Sequence, residues 1–356
     1  MKQTTWLALT LLVIFAVLFG LARRNTVKDL STQPIKIGAV LPLTGPVAGL
    51  GEALKLGYTW KIEELNKEGK ITSFYLEDSK SNAKDAVTAF LKLADVEKVP
   101  IIFTTMSAVS MTLRPIAEQR SVLLWADAAH PLLTRDTRFV LRHSNTSNKD
   151  AEVLANKVIE LAGKKTGVLY QNDDWGVAAS ELLSGNLSAV GNKAVLEPID
   201  NKSADFRILL TKLISQKIDS LVTIVAGPPS GIIIKQAREL GFKGNIVSSV
   251  GIILTPDAQN LAGSYLKGTY YQTYDENPLF ASDYRARFNA PPAAFTHVGY
   301  TDMELLMDAI EQTGTVDPTQ IVRYIKGLKS FKGKYETVEI TPEGDIIVPT
   351  IVKQWQ

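Results

Sequence analysis

From Ile35 to Tyr274 the chain alternates short β-branched runs with longer amphipathic ones, and few architectures tolerate that order. Runs at 35–43, 73–79, 100–105, 122–127 and 139–144 read as strands. Between them, Leu50, Leu54, Tyr58, Ile62 and Leu65 recur at helical spacing, and 83–96 and 108–119 read as further helices. A second series follows, with helices at 149–161, 175–190, 204–216 and 230–240 and strands at 166–173, 193–200, 220–227, 245–251 and 268–274. Strands that take turns with helices of this length form right-handed βαβ units around a parallel sheet. Two series of similar length predict two doubly wound α/β lobes, although no internal sequence repeat links them. After Tyr274 the pattern turns to helices at 279–289, 294–313 and 318–328, and then to a period-two stretch at 334–355 around Pro342-Glu343-Gly344-Asp345, a hairpin signal.

A chain of 356 residues exceeds one ordinary core, which fits two domains. The formal charge of +2 is unevenly placed. Lys2, Arg23 and Arg24 flank the N-terminal apolar run, and without them 36 basic residues face 37 acidic ones. So neutral a body gives no electrostatic reason to bind nucleic acid. The chain contains no cysteine, which removes disulfides, thiol catalysis, cysteine metal sites and a lipid-modified cysteine anchor. Trp6 to Ala22 carries no charge over 17 residues, with Lys2 before it and Gly20 and Ala22 at a spacing suited to signal peptidase. Residues 1–24 are therefore expected to be a signal peptide or a membrane anchor, and 25–34 a polar tether. Seventeen residues is the lower edge of a span, and Arg23-Arg24 disfavours simple translocation, so both fates stay open. The body is expected outside the cytoplasm, although a retained span held by Arg23-Arg24 could face either direction.

Catalytic and cofactor signatures are absent. His130, His143 and His297 lie far apart in sequence and read as ordinary surface or core histidines. No HExxH, GxSxG or GxxxxGK[ST] occurs. Gly49-Leu50-Gly51 resembles part of a dinucleotide loop, but Leu54 stands where its last glycine belongs. Asp173-Asp174 follows a strand and reads as a helix cap more readily than as a cation site. No cofactor, no metal and no enzymatic activity are expected.

Several segments resemble a known family. IKIGAVLPLTGPVAGLG, YLEDSKSNAKDAV, PIAEQRSVLLWADAAHPLLT, YQNDDWG and IKQARELGFKG are similar to the type I periplasmic binding proteins for branched-chain amino acids, the Leu/Ile/Val-binding family of ABC transporter receptors. The resemblance runs in one register over about residues 35–356. It implies two doubly wound lobes joined by three crossovers, lobe 1 comprising 35–143 plus 275–336 and lobe 2 comprising 144–274 plus 337–356. It also implies that hinge closure captures an amino acid or similar small solute and delivers it to an ABC permease in the membrane. Ligands of such sheets lie beyond the carboxyl ends of the strands, which here carry Thr44, Ser107, Asp127, Asn172, Gly227 and Gly251. Ser107 opens a helix, where a hydroxyl and free N–H groups make a carboxylate cradle, and it also suits a plain helix cap. In the family the matching serine and the residue after it, here Ala108, hold the ligand carboxylate, and an aromatic matching Trp175 covers the ligand.

Departures from the family pattern leave the solute open. Ala129 stands where a threonine is usual, Leu50 where an aromatic is usual, and Ala226 or Gly227 where a tyrosine meets the ligand amine. The acidic partner of that amine falls near Ser249 or Gly251. Asp127, among the small residues Ala126, Ala128 and Ala129, is a replacement source of negative charge, or simply a loop aspartate. An amino acid held differently, an amide, or a small carboxylate all fit. A membrane-anchored sensor that signals through a partner chain is the alternative function.

Overall fold

The computed structural model describes residues 34–356 apart from 71 and 276. The expected export or anchor segment, and all but the last residue of the tether, lie outside the described residues. The first lobe opens with β1 (Ile35–Leu41), α1 (Ala48–Lys67), β2 (Thr72–Asp78), α2 (Ala83–Leu91), β3 (Ile101–Thr105), α3 (Ser107–Arg120), β4 (Leu123–Asp127) and β5 (Val140–His143). The chain then crosses to the second lobe: α4 (Ser147–Glu160), β6 (Lys165–Gln171), α5 (Asp174–Ser188), β7 (Lys193–Ile199), α6 (Arg207–Ser215), β8 (Ser220–Ile224), α7 (Pro228–Glu239), β9 (Asn245–Ser248), α8 (Pro256–Ala262) and β10 (Tyr270–Tyr274). It returns through α9 (Pro278–Phe288), α10 (Thr296–Thr313), α11 (Pro318–Gly327), β11 (Ser330–Lys332), β12 (Thr337–Ile340) and β13 (Asp345–Ile347), and ends in β14 (Thr350–Gln354).

The first sheet runs β11-β12-β13-β5-β4-β3-β1-β2 and the second β14-β10-β9-β8-β6-β7. Their centres are parallel, while β11 to β13 and the β10–β14 pair are antiparallel, so both sheets are mixed at one edge. β3, β4 and β8 are buried at every residue, because helices cover both faces. One face of the first sheet packs Leu54, Tyr58, Leu306 and Ile310 from α1 and α10, and the other packs Phe90 and Leu113 from α2 and α3. In the second lobe, Leu210, Ile233 and Ala258 fill one face and Leu154 and Leu183 the other.

One expected boundary is corrected. Residues 337–356 were assigned to lobe 2 as one block, yet β12 and β13 belong to the first sheet. Asp345 and Ile346 pair in parallel with Arg142 and His143, and the Arg142 guanidinium meets the Asp345 carboxylate at 2.9 Å. Only β14 reaches the second sheet, so the third crossover falls at 348–349. Period-two alternation identifies a hairpin without saying which sheet it extends. The chain also adds α8, which no strong periodicity announces, and an irregular wide turn over Lys92–Val96 where the spacing predicts a continuous helix.

Helix α10 lies directly against α1, and two glycines set the distance. A Cβ at Gly57 would sit 2.1 Å from the Thr296 carbonyl oxygen, and one at Gly299 would sit 2.5 Å from that of Leu54. The two helices therefore touch backbone to backbone, a spacing open only to glycine.

Candidate functional site

Between the lobes lies a cavity of about 110 Å³. Its first-lobe wall begins at the end of β3. Thr105 and Met106 lead into the first turn of α3, where Ser107 is buried and faces the cavity. Met106 has φ 72° and ψ 130°, a backbone conformation that side chains rarely adopt. This sharp corner turns the 14-residue helix so that its N-terminus opens on the gap. The first N–H groups of any helix have no partner within it and carry partial positive charge. A hydroxyl at the same point completes a cradle for an anionic or strongly accepting group.

Beside it stands Asp127, the last residue of β4, with Ala128 and Ala129 following. The Asp127 carbonyl oxygen accepts from Thr105 Oγ1 at 2.8 Å and from Met106 N at 3.2 Å, which locks the two strand ends together. Its carboxylate faces the cavity and is hydrogen-bonded to Ser144. Burial, helped by the negative charges of Asp302 and Asp150, pushes this carboxyl up to about 7 against the attraction of His143 and the Ser144 hydrogen bond. Behind the wall, His143 Nδ1 meets Asp302 Oδ1 at 2.6 Å, both side chains being essentially inaccessible. Burial opposes protonation of His143, but the Asp302 carboxylate outweighs it and raises the imidazole above its ordinary value.

The second-lobe wall carries polar groups that the sequence reading did not single out. Asp150 on α4 is buried and accepts from Gln272 Nε2 at 2.6 Å. Burial lifts its carboxyl to about 6, opposed by the Gln272 bond and the nearby Arg142 charge. Gln171 Nε2 donates to Asp173 Oδ2 at 2.5 Å, while its Oε1 accepts from Ala226 N at 3.3 Å. Asp173 caps α5 by accepting from Gly176 N at 2.9 Å, as a helix start requires. Trp175 is half-buried and lines the cavity from this side, facing Val47, Leu50, Leu254 and Phe295. Thr350, just past the third crossover, and Tyr274, at the second, complete the floor.

Of the residues singled out from the sequence, Ser107, Asp127, Ala128, Ala129, Trp175 and Leu50 thus line one shared cavity. Ala108, Gly227 and Gly251 do not line it; Ala226 does so in place of Gly227. A Cβ at Gly251 would lie 2.0 Å from the Val225 carbonyl oxygen, so no side chain fits there. Thr44 is occupied elsewhere, donating from Oγ1 to Asp78 Oδ2 at 2.7 Å. Asp150 and Gln272 were missed because they sit on a helix and inside a strand, where strand-end reasoning does not look; Gln171 ends β6 and was passed over for its neighbour Asn172. The amide of Gln272 within the aromatic-rich strand YYQTY was the available signal.

The lobes also meet along a rim. A Cβ on Gly227 would lie 2.9 Å from the Pro46 carbonyl oxygen, and one on Gly49 would lie 3.0 Å from that of Leu254. The cleft is closed in this conformation. A second cavity of about 500 Å³ shares Leu254 and Tyr274 with the first and includes Lys353 and His297 in its walls.

Two doubly wound lobes, three crossovers and a gap enclosed at the strand ends by both apolar and polar side chains define a two-lobed solute-binding protein. The comparisons agree: the family model described as periplasmic binding protein matches residues 34–349, and the chain belongs to that family. It is 26% identical over 305 residues to the Leu/Ile/Val-binding protein BraC3 of Rhizobium johnstonii, covering 82% of this chain and 83% of that one. A leucine-binding protein from Thermotoga maritima superposes with a TM-score of 0.85 at 26% identity, covering 90% of this chain and 95% of that one. A solute-binding protein from R. palustris in complex with benzoate has the same fold, with a TM-score of 0.82 at 19% identity over 91% of this chain and 94% of that one. These relatives are binding proteins, and the chain is a binding protein rather than an enzyme, of a family that works outside the cytoplasm.

Proposed function

We propose that this protein captures a small polar solute, an amino acid or a related amide or carboxylate, by closing its lobes, and hands it to an ABC-type permease in the membrane. One observation carries the reading: the N-terminus of α3 with Ser107 opens into a cavity walled by both lobes. An anionic or carbonyl group of the solute docks on that helix end, and Trp175 covers it from the second lobe. Names of the relatives, which bind leucine, isoleucine and valine, support an amino-acid-like solute. The alternative of an anchored sensor rests on the apolar run Trp6 to Ala22 staying attached to the body. Mature protein that begins after Ala22 excludes it.

Thermal unfolding of residues 25–356 against a panel of amino acids, amides and small carboxylates tests the reading. A solute present at 100 times its Kd raises stability by about 2.7 kcal/mol. Ser107→Ala is expected to weaken a carboxylate-bearing solute by about 1–3 kcal/mol, read by titration calorimetry. Unchanged affinity removes the α3 end from the site.

A further inference from the structure

The proposed capture of a polar solute leaves one side of the cavity unexplained. Away from the α3 end, three aspartates line the gap; Asp173 of the second lobe is engaged by Gln171 and the Gly176 N–H, which leaves Asp127 from the first lobe and Asp150 from the second. They lie close enough for their charges to act on each other. Among the residues that line the cavity there is no lysine and no arginine. The nearest cationic groups are committed elsewhere: Arg142 is bonded to Asp345 and to the His130 carbonyl oxygen, and His143 to Asp302. A separate observation points the same way. Gln272 is fully buried and lines the same cavity; its Nε2 is spent on Asp150, while its Oε1 has no hydrogen-bond partner among the described residues. Turning the amide over would set that oxygen against the Asp150 carboxylate, so the orientation is fixed by chemistry. A buried acceptor left open beside two carboxylates is a costly arrangement unless a donor completes it.

We infer that the solute is a net organic cation, with a protonated nitrogen seated against the carboxylates of Asp127 and Asp150 and the open carbonyl oxygen of Gln272. This rests on the solute-capture reading and names its chemical class. A bare metal ion fits poorly: no group of three or more His, Cys, Asp or Glu capable of holding one occurs among the described residues. An ammonium or amidinium suits the site better, because its N–H groups reach several acceptors while its carbon skeleton lies on Leu50, Trp175, Val250 and Phe295. Charge count argues against a solute of zero net charge. A bound cation draws off the protons that burial otherwise holds on Asp127 and Asp150, and with both ionised a solute carrying its own carboxylate and a single amine leaves the cavity short of positive charge. A diamine or an aminoguanidine such as agmatine, with two positive charges, balances it, and a basic amino acid comes nearer to balance than a zwitterion.

Titration calorimetry of the full body with defined probes tests this. The panel contains lysine, arginine, ornithine, putrescine and agmatine as cations, leucine as a zwitterion without net charge, and propionate and benzoate as anions. At least one cation is expected to bind, and Asp127→Asn and Asp150→Asn are each expected to weaken it at least tenfold. Both variants keep side-chain size and remove a buried charge, and circular dichroism with thermal unfolding establishes that they fold. Gln272→Leu, which removes only the amide, is expected to weaken the same probe by a smaller factor. Binding of leucine or an anion, unaffected by the two Asp→Asn variants, would overturn the cation assignment and leave solute capture standing. Silence from every probe in the panel counts against both.

Discussion

Asp127 and Asp150 are carboxyl groups taken out of water, and burial lifts them from an ordinary value of 3.8 to about 7 and about 6. The folded protein therefore keeps protons that the unfolded chain gives up between those values. Their contribution to stability is complete below about pH 4 and is lost as pH rises through 6 and 7. Asp127→Asn, which cannot ionise, escapes that loss. Its stability relative to the parent, measured by denaturant unfolding without solute, is expected to rise by a few kcal/mol between about pH 4 and about pH 7.5. A difference that stays flat across that range would mean Asp127 is ionised and solvated in the free protein. His143 shows the converse case. Read in sequence it is one of three scattered histidines, and only the fold reveals that it meets Asp302, far along the chain, at 2.6 Å. The placement of Ser107 and Trp175 on the inter-lobe cavity was readable because each stands next to a strand end, where such sheets open toward the gap. Asp150 and Gln272 were not, because their facing depends on how one lobe is set against the other.

The elements themselves follow from periodicity, which marks strands and helices well when both are long and regular. Leu54, Tyr58, Ile62 and Leu65 trace the buried stripe of α1, and the same residues appear in the first core. The tail shows where this stops. Alternation found the β12–β13 hairpin, whereas the assignment of each strand to a sheet depends on the Asp345–Arg142 contact and on Val348 packing into the first core. The packing of α10 on α1 is equally silent in the sequence, since Gly57 and Gly299 look like weaknesses in two helices until they are seen to face carbonyl oxygens. Gly57→Ala is expected to destabilise the protein by about 1–3 kcal/mol, although alanine is the better helix former, because the added methyl meets the Thr296 backbone at 2.1 Å. Chemical denaturation decides it, and a gain in stability would show that the helices part easily.

At the scale of the whole molecule, the two lobes meet along a rim where backbones nearly touch, which the proposed capture would have to open and close. Gly49 sits in an ordinary helical conformation, so a side chain there adds bulk without local strain, and it would meet Leu254 and Thr255 of the other lobe. Gly49→Val is expected to leave the solute-free protein as stable as the parent but to weaken binding about tenfold, by penalising the closed form alone. Small-angle scattering with saturating solute would show a larger radius than the parent; an identical radius and affinity would mean that the rim yields. The path of the chain has a practical consequence as well. β1 belongs to one sheet and β14 to the other, so the first and last strands of the described residues lie in different lobes. Because the chain has no thiol of its own, two introduced cysteines, for instance at the exposed Glu68 and Lys243, would take dyes at those points alone, and light passed between them would record the bite of a single molecule as it happens.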